Sequence, residues 1–296
     1  MQVFDYADRC AVVTGGGSGI GAALAVALAQ RGAYVAVADI SGDDAAGVAA
    51  RIGPAARAYR CDVSDIDSVR ALQSDVARDF KCVNFVFANA GVFTADPLHE
   101  TRPEDLAWLF DVNVKGVYNA VHTFAPMLLE QGAQQAPARF IMTGSENSLG
   151  LPFQGVMSAY TATKHAVMAM ADALRRDLEG TGVGVTIICP GAVDTRIWDA
   201  RRARPDQYGG AAAAPKDLAE RAAEIFRTIG QRPDVTARLC LDAVAQDRFL
   251  VIADAKIGDY ARKRHDEVLK ALDWLAAQPL DDVGRSENRV ATPSAG

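Results

Sequence analysis

Seven short runs rich in β-branched, aromatic and other apolar residues alternate with helical stretches along this chain. In chain order they read CAVVTG, AYVAVAD, ARAYRCDV, VNFVFANA, RFIMTGS, GVTIICPG and RFLVIAD. Most are nearly continuous apolar runs, as strands covered by helices on both faces require, whereas half-exposed strands alternate apolar and polar residues. The repeated order of strand and helix predicts an α/β fold built on one doubly wound parallel sheet.

The stretches between these runs have helical length and apolar spacing. Clear examples are 21–31, 65–80, 103–131 and 158–179. Neither an internal repeat nor an interdomain linker interrupts the pattern, so we expect residues 1–279 to form a single Rossmann-type domain. The last stretch, 280–296, has the polar composition of a flexible C-terminal tail.

Composition narrows the class of partner. The 296 residues include 31 basic and 37 acidic side chains, for a net charge of −6, and no long basic run. Neither a nucleic acid nor a membrane is therefore expected as a partner. Five scattered cysteines without a C-x-x-C pair argue against a disulfide framework and a metal site. They favour a reducing, cytoplasmic location, and the sequence shows neither a signal-peptide pattern nor an apolar run of about 18 residues.

A glycine cluster follows the first strand and opens the first helix, in the stretch TGGGSGIGAALAVALAQRG. Gly15, Gly19 and Gly21 would let the backbone turn sharply and approach a pyrophosphate at the helix N-terminus. Asp39 ends the second strand, at roughly the spacing expected for a carboxylate that binds a ribose. The pattern predicts a dinucleotide site, and the alternative is a tight turn followed by a surface aspartate.

Tyr160 and Lys164 lie four residues apart in SAYTATKHAV. On a helix these positions share one face, so a phenol and an ammonium group would lie side by side, as acid–base chemistry requires. A half-buried tyrosine beside a lysine that extends to water is the alternative, and the rest of the sequence has to decide between them.

Six motifs in one order resemble the short-chain dehydrogenase/reductase family over roughly residues 7–195. They are TGGGSGIG, CDV, NAG, VNVKG, YTATK and PGAVDT. The resemblance implies a Rossmann fold, a nicotinamide cofactor, and either oxidation of an alcohol or reduction of a carbonyl. It favours the catalytic interpretation of Tyr160 and Lys164.

The resemblance also implies roles for the catalytic residues. Tyr160 would act as general acid or base, with Lys164 favouring its phenolate and holding the ribose of the nicotinamide. Asn113 would anchor a water that carries the proton outward. The family's serine usually stands where this chain has Asn147, so the pattern departs here. We assign the role to Ser145, because it follows the fifth strand and a loop two residues longer would compensate, with Ser148 as the alternative.

The cofactor is predicted to be NAD. A carboxylate at Asp39 would repel the 2′-phosphate of NADP by roughly 4 kcal/mol at about 4 Å and an effective dielectric near 20. Ser18 also stands where NADP-using relatives often carry a basic residue. The resemblance assigns further cofactor contacts to Ile20, Asp62, Val63, Asn89, Gly91, Pro190, Val193 and Thr195, besides Tyr160 and Lys164.

The stretch 195–232 is arginine-rich and lies where the family has its substrate lid. Its arginines either receive an acidic substrate or form a solvated helix face. Large apolar side chains are expected to line the substrate pocket, chiefly Phe93, Leu151, Phe153 and Trp198, with Ile197 and Phe226 from the lid. Such a lining favours secondary alcohols or ketones that carry a bulky aromatic or alicyclic group.

Two other functions fit the same fold, namely an epimerase- or dehalogenase-like enzyme without net redox chemistry and a non-catalytic NAD-binding regulatory protein. The helices 103–131 and 158–179 carry apolar or small residues on more than one face. A helix of that kind needs several neighbours, so we expect a homotetramer or a homodimer.

Overall fold

One parallel sheet of seven strands organises the chain, in a computed structural model that describes residues 4–152, 156–212 and 216–278. Its strand order is β3-β2-β1-β4-β5-β6-β7, and every neighbouring pair is parallel. The strands are β1 Cys10–Thr14, β2 Tyr34–Asp39, β3 Ala56–Arg60, β4 Phe85–Ala88, β5 Arg139–Thr143, β6 Gly184–Cys189 and β7 Leu250–Ile252. All seven predicted strands are thus confirmed, together with the α/β fold class.

The α-helices of the described residues alternate with these strands. They are α1 Gly19–Gln30, α2 Gly42–Ile52, α3 Ile66–Phe80, α4 Pro103–Phe110, α5 Gly116–Ala133, α6 Ser158–Asp177, α7 Lys216–Ile229, α8 Pro233–Ala245 and α9 Ile257–Ala276. None of the helices in those described ranges is both long and apolar enough to cross a membrane.

Two hydrophobic layers cover the sheet. One packs α3, α5 and α6 against it, around Phe124, Phe140 and Val167. The other packs α1, α2 and α8 against the opposite face, around Leu24 and Phe85. Burial on both faces explains why the central strands are continuously apolar.

The strand order reverses between β1 and β4. The chain continues from β1 to β2 on one side and from β4 to β5 on the other. The two connections therefore run toward opposite edges of the sheet, which opens a crevice at the carboxyl ends of β1 and β4. The loops that follow β1, β4, β5 and β6 meet at this edge, and they carry many of the residues predicted to form the site.

The prediction of one helix over 103–131 is wrong in detail, because a π-helical turn at Asp111–Lys115 separates α4 from α5. Asn113 lies in this turn, fully buried, and its side chain bonds to Val92 and to Thr163 on α6. These tertiary bonds hold the wider turn in place, and no local sequence pattern reports them. Phe153 and the predicted tail 280–296 lie outside the described residues.

Candidate active site

A cavity of about 390 Å³ opens at the carboxyl edge of the sheet. Its volume is that of a small-molecule site. The structure brings most of the predicted site residues together in its lining, namely Gly15, Ser18, Gly19, Ile20, Gly21, Asp39, Asp62, Val63, Asn89, Gly91, Phe93, Ser145, Tyr160, Lys164, Pro190, Val193 and Thr195.

The glycine-rich loop leads directly from β1 into α1. Gly15 has a φ of +63°, and a Cβ there would lie 2.8 Å from the Cα of Ala90. A Cβ on Gly21 would lie 2.1 Å from the main-chain oxygen of Gly15. Only glycine permits this close turn, which leaves the first N–H groups of α1 directed toward the cavity.

Asp39 is fixed beside this loop by two main-chain N–H groups. Its Oδ2 accepts a hydrogen bond from Gly17 at 2.9 Å, and its Oδ1 accepts one from Ser41 at 3.0 Å. The carboxylate therefore stands at the end of β2 with a set orientation. It can still accept hydrogen bonds from ribose hydroxyls, because each oxygen carries a second lone pair.

Asn89 joins three strands at their carboxyl ends. Its side-chain amide donates to the main-chain oxygen of Thr14 at 3.0 Å, and its carbonyl accepts from the Thr143 hydroxyl at 3.1 Å. Its side chain thus keeps β1, β4 and β5 in register beneath the cavity. Because these bonds engage its side chain, Asn89 would support cofactor binding by positioning the strand ends and through its neighbouring main chain.

The two candidate serines have different partners. Ser145 lies two residues past the end of β5, in the cavity wall with Tyr160, and its hydroxyl donates to the side-chain oxygen of Asn147 at 3.2 Å and accepts from the Asn147 N–H at 3.3 Å. The hydroxyl of Ser148 instead donates to the main-chain oxygen of Lys164 at 2.8 Å and accepts from the N–H of Ser145 at 3.1 Å. Ser148 therefore holds the loop on α6, whereas Ser145 lines the cavity close enough to Tyr160 to act on its phenol.

Burial governs the titration of Tyr160. Burial raises the pKa of the Tyr160 phenol to about 12, the hydrogen bond with Ser145 lowers it, and the charge of Glu146 raises it again. The ring of Phe93 packs edge-on against the Tyr160 ring at 5.3 Å. The phenol is thus protonated near neutral pH and positioned to donate a proton.

Lys164 lies one turn along α6, as its spacing predicts. Its Nζ donates to the main-chain oxygen of Thr143 at 2.9 Å and lies 5.6 Å from the centre of the Tyr160 ring. Burial lowers the pKa of Lys164 to about 8, because few neighbours compensate the desolvated charge. The ammonium group is therefore close enough to the phenol to influence its charge.

Asn113 lies behind the cavity and not in its lining. Its amide nitrogen donates to the Val92 oxygen at 2.9 Å and to the Thr163 hydroxyl at 3.0 Å, and its oxygen accepts from the Val92 N–H at 2.8 Å. These bonds occupy the side chain, so a water relay at this residue would have to use the main chain of the π-helical turn.

Only some of the residues predicted to contact the substrate line the cavity. Phe93, Ile197 and Phe226 line the cavity, whereas Leu151 and Trp198 do not. Leu151 is 67% exposed, and the preceding Gly150 packs closely on Tyr260. Sequence reasoning missed other lining residues, among them Trp108, Met157, Ile225 and Ile229. The i, i+4 spacing of Ile225 and Ile229 on α7 was the signal that could have found two of them.

Glu146 follows Ser145 directly in the loop after β5. It is half-buried in the cavity wall. Burial raises the pKa of the Glu146 carboxyl to about 7, with a further upward contribution from Asp254 and an opposing one from Lys256. A titratable carboxyl therefore lies beside Ser145 and Tyr160.

The segment 196–208, which we call the cover segment, lies over the dinucleotide end of the cavity. Arg202 reaches the hydroxyl of Ser18 at 3.5 Å, and Ala203 lies with Asp62 in the wall of an adjoining depression. Arg204 is 3% exposed and pairs with Asp105. The expectation of a solvated arginine face is therefore wrong for Arg204, which is buried.

Comparisons with known proteins agree with this geometry. A family model described as short chain dehydrogenase matches residues 9–206. The 1-deoxy-11-beta-hydroxypentalenate dehydrogenase of Streptomyces exfoliatus is 32% identical over 281 residues, which cover 93% of this chain and 94% of the relative. The sorbitol dehydrogenase of Cereibacter sphaeroides is 30% identical over 82% of this chain and 93% of its own.

Solved structures share the fold. A short chain dehydrogenase/reductase from Burkholderia phymatum, determined in complex with NAD, superposes with a TM-score of 0.83 at 33% identity. The match covers 90% of this chain and 96% of that one.

Proposed function

The chain belongs to the short-chain dehydrogenase family and is an oxidoreductase; from this premise we propose that it interconverts a bulky, apolar secondary alcohol and its ketone with NAD. One observation carries the proposal. Ser145, Tyr160 and Lys164 meet in the same cavity as the glycine-rich loop and Asp39. A hydride carrier and an acid–base group can therefore face one substrate carbon and its oxygen.

The residues present fit a dinucleotide. The glycine-rich loop brings the N-terminus of α1 to the cavity wall, where unpaired N–H groups and the helix dipole favour an anion such as a phosphate. Asp39 stands one strand away, at the place for ribose hydroxyls. When bound, a nicotinamide would supply or accept the hydride.

Tyr160 handles the proton. In carbonyl reduction its protonated phenol donates to the developing alkoxide, while Ser145 hydrogen-bonds the same oxygen. In alcohol oxidation the phenol must first lose its proton. The nearby charge of Lys164, together with that of an oxidised cofactor, would offset the burial that raises the pKa of Tyr160 to about 12.

NAD is favoured over NADP by the carboxylate of Asp39. Its two oxygens are held by Gly17 and Ser41, so the carboxylate is fixed in place and a 2′-phosphate would meet a like charge. We expect at least about tenfold higher kcat/KM with NAD than with NADP, and a smaller ratio for Asp39→Ala. Equal use of both cofactors by the wild-type enzyme would contradict this preference.

The apolar lining supports a bulky substrate. Phe93 and Met157 lie on one side, and Ile197, Ile225 and Phe226 contribute from the segments after β6. Such a wall desolvates an aromatic or alicyclic group, whereas a small polyol would leave its hydroxyls without partners. Secondary alcohols with a ring substituent should therefore outperform short polyols and hydroxy acids.

A substrate panel with purified protein tests the function. NADH formation is followed at 340 nm with cyclic, aromatic and polyol substrates, in the wild type and in Tyr160→Phe. We expect the variant to lose at least about 99% of kcat while NAD binding persists, because only the proton-transferring hydroxyl is removed. Retention of more than about a tenth of kcat, or turnover without net redox chemistry, would refute the proposal.

Two broader properties remain proposals. We propose a homotetramer or homodimer, supported by apolar residues exposed on α5 such as Tyr118 and Leu129. We also propose a cytoplasmic location, which is consistent with five cysteines that form no disulfide.

A further inference from the structure

The cover segment carries four arginines with two different kinds of surroundings. Arg201 and Arg204 both form ion pairs with Asp105 of α4, at 3.1 and 2.5 Å. Asp105 is 1% exposed, so this cluster fixes the segment to the body of the protein. These two arginines have a structural partner and need no ligand to compensate their charge.

Arg196 and Arg202 have no such partner. Within the part of the chain that the structure describes, no carboxylate lies within ion-pair distance of either guanidinium. One nitrogen of Arg202 donates only to main-chain oxygens, those of Arg196 at 3.0 Å and Asp199 at 2.9 Å. Burial lowers the pKa of Arg202, and the positive charge of Arg196 lowers it further. An anion placed near both guanidinium groups would relieve this repulsion.

Both residues line the cavity, and Arg202 does so beside the glycine-rich loop. Arg202 is half-buried, and its other terminal nitrogen lies 3.5 Å from the hydroxyl of Ser18. Ser18 is the residue immediately before α1, whose first N–H groups and dipole favour negative charge. The guanidinium of Arg202 thus lies between the N-terminus of α1 and Arg196, and all three border one cavity.

We propose that Arg202, assisted by Arg196, binds the pyrophosphate of the dinucleotide from the side of the cover segment. The phosphates are then held between the glycine-rich loop and this segment. The assignment rests on the proposed nicotinamide cofactor and adds to it a specific cationic ligand. Guanidinium suits the role, because its planar N–H donors can bind two phosphate oxygens at once.

The proposed role of Arg202 concerns the pyrophosphate of the cofactor and not its adenosine. Affinity for ligands that contain the pyrophosphate should depend on Arg202, whereas affinity for adenosine should not. The competing target is the 2′-phosphate of NADP, because the charges of Asp39 and Asp44 also act on Arg202. A ligand with only a 2′-phosphate separates the two.

Isothermal titration calorimetry with ADP-ribose, adenosine and 2′-AMP tests this on the full chain. We expect Arg202→Gln to weaken ADP-ribose binding by about tenfold or more, as the loss of a charge-assisted hydrogen bond predicts, and adenosine binding by less than about twofold. The matched control is Arg78→Gln, which removes an exposed arginine paired with Asp75 on α3 and should change neither affinity. ADP-ribose affinity should also fall less steeply with salt in Arg202→Gln than in the wild type.

Three results would overturn the assignment. The first is unchanged ADP-ribose affinity in Arg202→Gln, and the second is an equal loss of adenosine affinity, which would indicate a damaged pocket. A third is a loss confined to 2′-AMP, which would place the 2′-phosphate at Arg202. Wild-type protein that binds neither NAD nor ADP-ribose would instead refute the proposed cofactor itself.

Discussion

Ser145 and Ser148 have different roles in the structure, although the sequence alone left both as candidates for the catalytic serine. Ser145→Ala should lower kcat/KM by about two orders of magnitude, because its hydroxyl lies beside the Tyr160 phenol in the cavity wall. Ser148→Ala should mainly destabilise the fold, by about 1–3 kcal/mol, because it leaves the buried N–H of Ser145 without a partner and removes the bond that ties the loop to α6. Steady-state kinetics and thermal unfolding of both variants measure this division.

Each serine variant serves as the control for the other. If Ser148→Ala abolishes turnover while Ser145→Ala remains active, the position of the catalytic serine relative to β5 is wrong. If both lose activity in proportion to their loss of stability, neither hydroxyl has a chemical role. The sequence could narrow the choice to these two residues, because strand ends are rigid and the loop absorbs the extra length.

Glu146 should set the pH dependence of alcohol oxidation. Burial raises the pKa of Tyr160 to about 12, and the charge of Glu146 also raises it, so removing that charge favours the phenolate. Burial raises the pKa of Glu146 to about 7, so the carboxylate is charged throughout the alkaline range in which Tyr160 loses its proton. In Glu146→Gln, the rise of kcat/KM with pH should shift toward lower pH by about half a unit or more.

The pH profile of kcat/KM for oxidation measures the shift, with Glu267→Gln as control. Glu267 is exposed on α9 and pairs with Arg264, so its loss should leave the profile in place. A Glu146→Gln profile that coincides with the wild type, or moves to higher pH, would show that this carboxyl does not act on the phenol.

A buried carboxylate of α4, that of Asp105, anchors the cover segment. Burial raises the pKa of Asp105, but the hydrogen bond from Arg102 and the charges of Arg201 and Arg204 outweigh it, so the net pKa lies below the usual range. In Asp105→Asn the buried guanidinium of Arg204 loses its counter-charge. We expect the free energy of unfolding to fall by about 3–5 kcal/mol, as it does when one partner of a buried ion pair is removed. Trypsin should also cleave faster after Arg201 or Arg202.

Chemical denaturation and timed proteolysis test this anchor. Asp242→Asn is the matched control, because Asp242 is 53% exposed in its pair with Arg31 and exposed pairs contribute about 0–1 kcal/mol. Equal stability of Asp105→Asn and the wild type, with equal cleavage rates, would show that other contacts hold the segment.

Secondary-structure elements could be predicted where the local sequence pattern determines them. The central strands read as continuous apolar runs because helices cover both faces of the sheet, and the turn at Gly15 required glycine. The π-helical turn was not predictable, because Asn113 is held by Val92 and by a helix 50 residues away in sequence. The buried pairing of Arg204 with Asp105 likewise joins segments that the sequence gives no reason to place together.

At the scale of the whole molecule, the parallel sheet explains why so much of the site followed from motifs. The carboxyl ends of β1, β2, β4 and β5 lie along one edge, so motifs that follow these strands converge wherever they stand in the sequence. The outer wall of the site is different. Its shape depends on α7, which lies beyond the last motif and contributes Ile225, Phe226 and Ile229 to the lining. Substrate residues such as Leu151 were therefore placed incorrectly.

Helices α5 and α6 present surfaces that a lone chain leaves in water. On α6, exposed alanines recur at helical spacing, at Ala162, Ala169 and Ala173, and α5 exposes Tyr118 and Leu129 on the same side of the sheet. Small side chains let a second helix approach closely, so a two-fold contact of these helices would bury both surfaces.

We therefore expect light scattering at micromolar concentration to give two or four times the mass of one chain, and Ala169→Glu to give a lower oligomeric state. Burying an unpaired carboxylate at a helix contact is costly, whereas the same charge in water is not. Ala46→Glu, at an exposed position of α2 on the opposite face of the sheet, is the control and should assemble like the wild type. A wild-type monomer would refute the assembly itself. An oligomer that tolerates Ala169→Glu would place the interface elsewhere on the molecule.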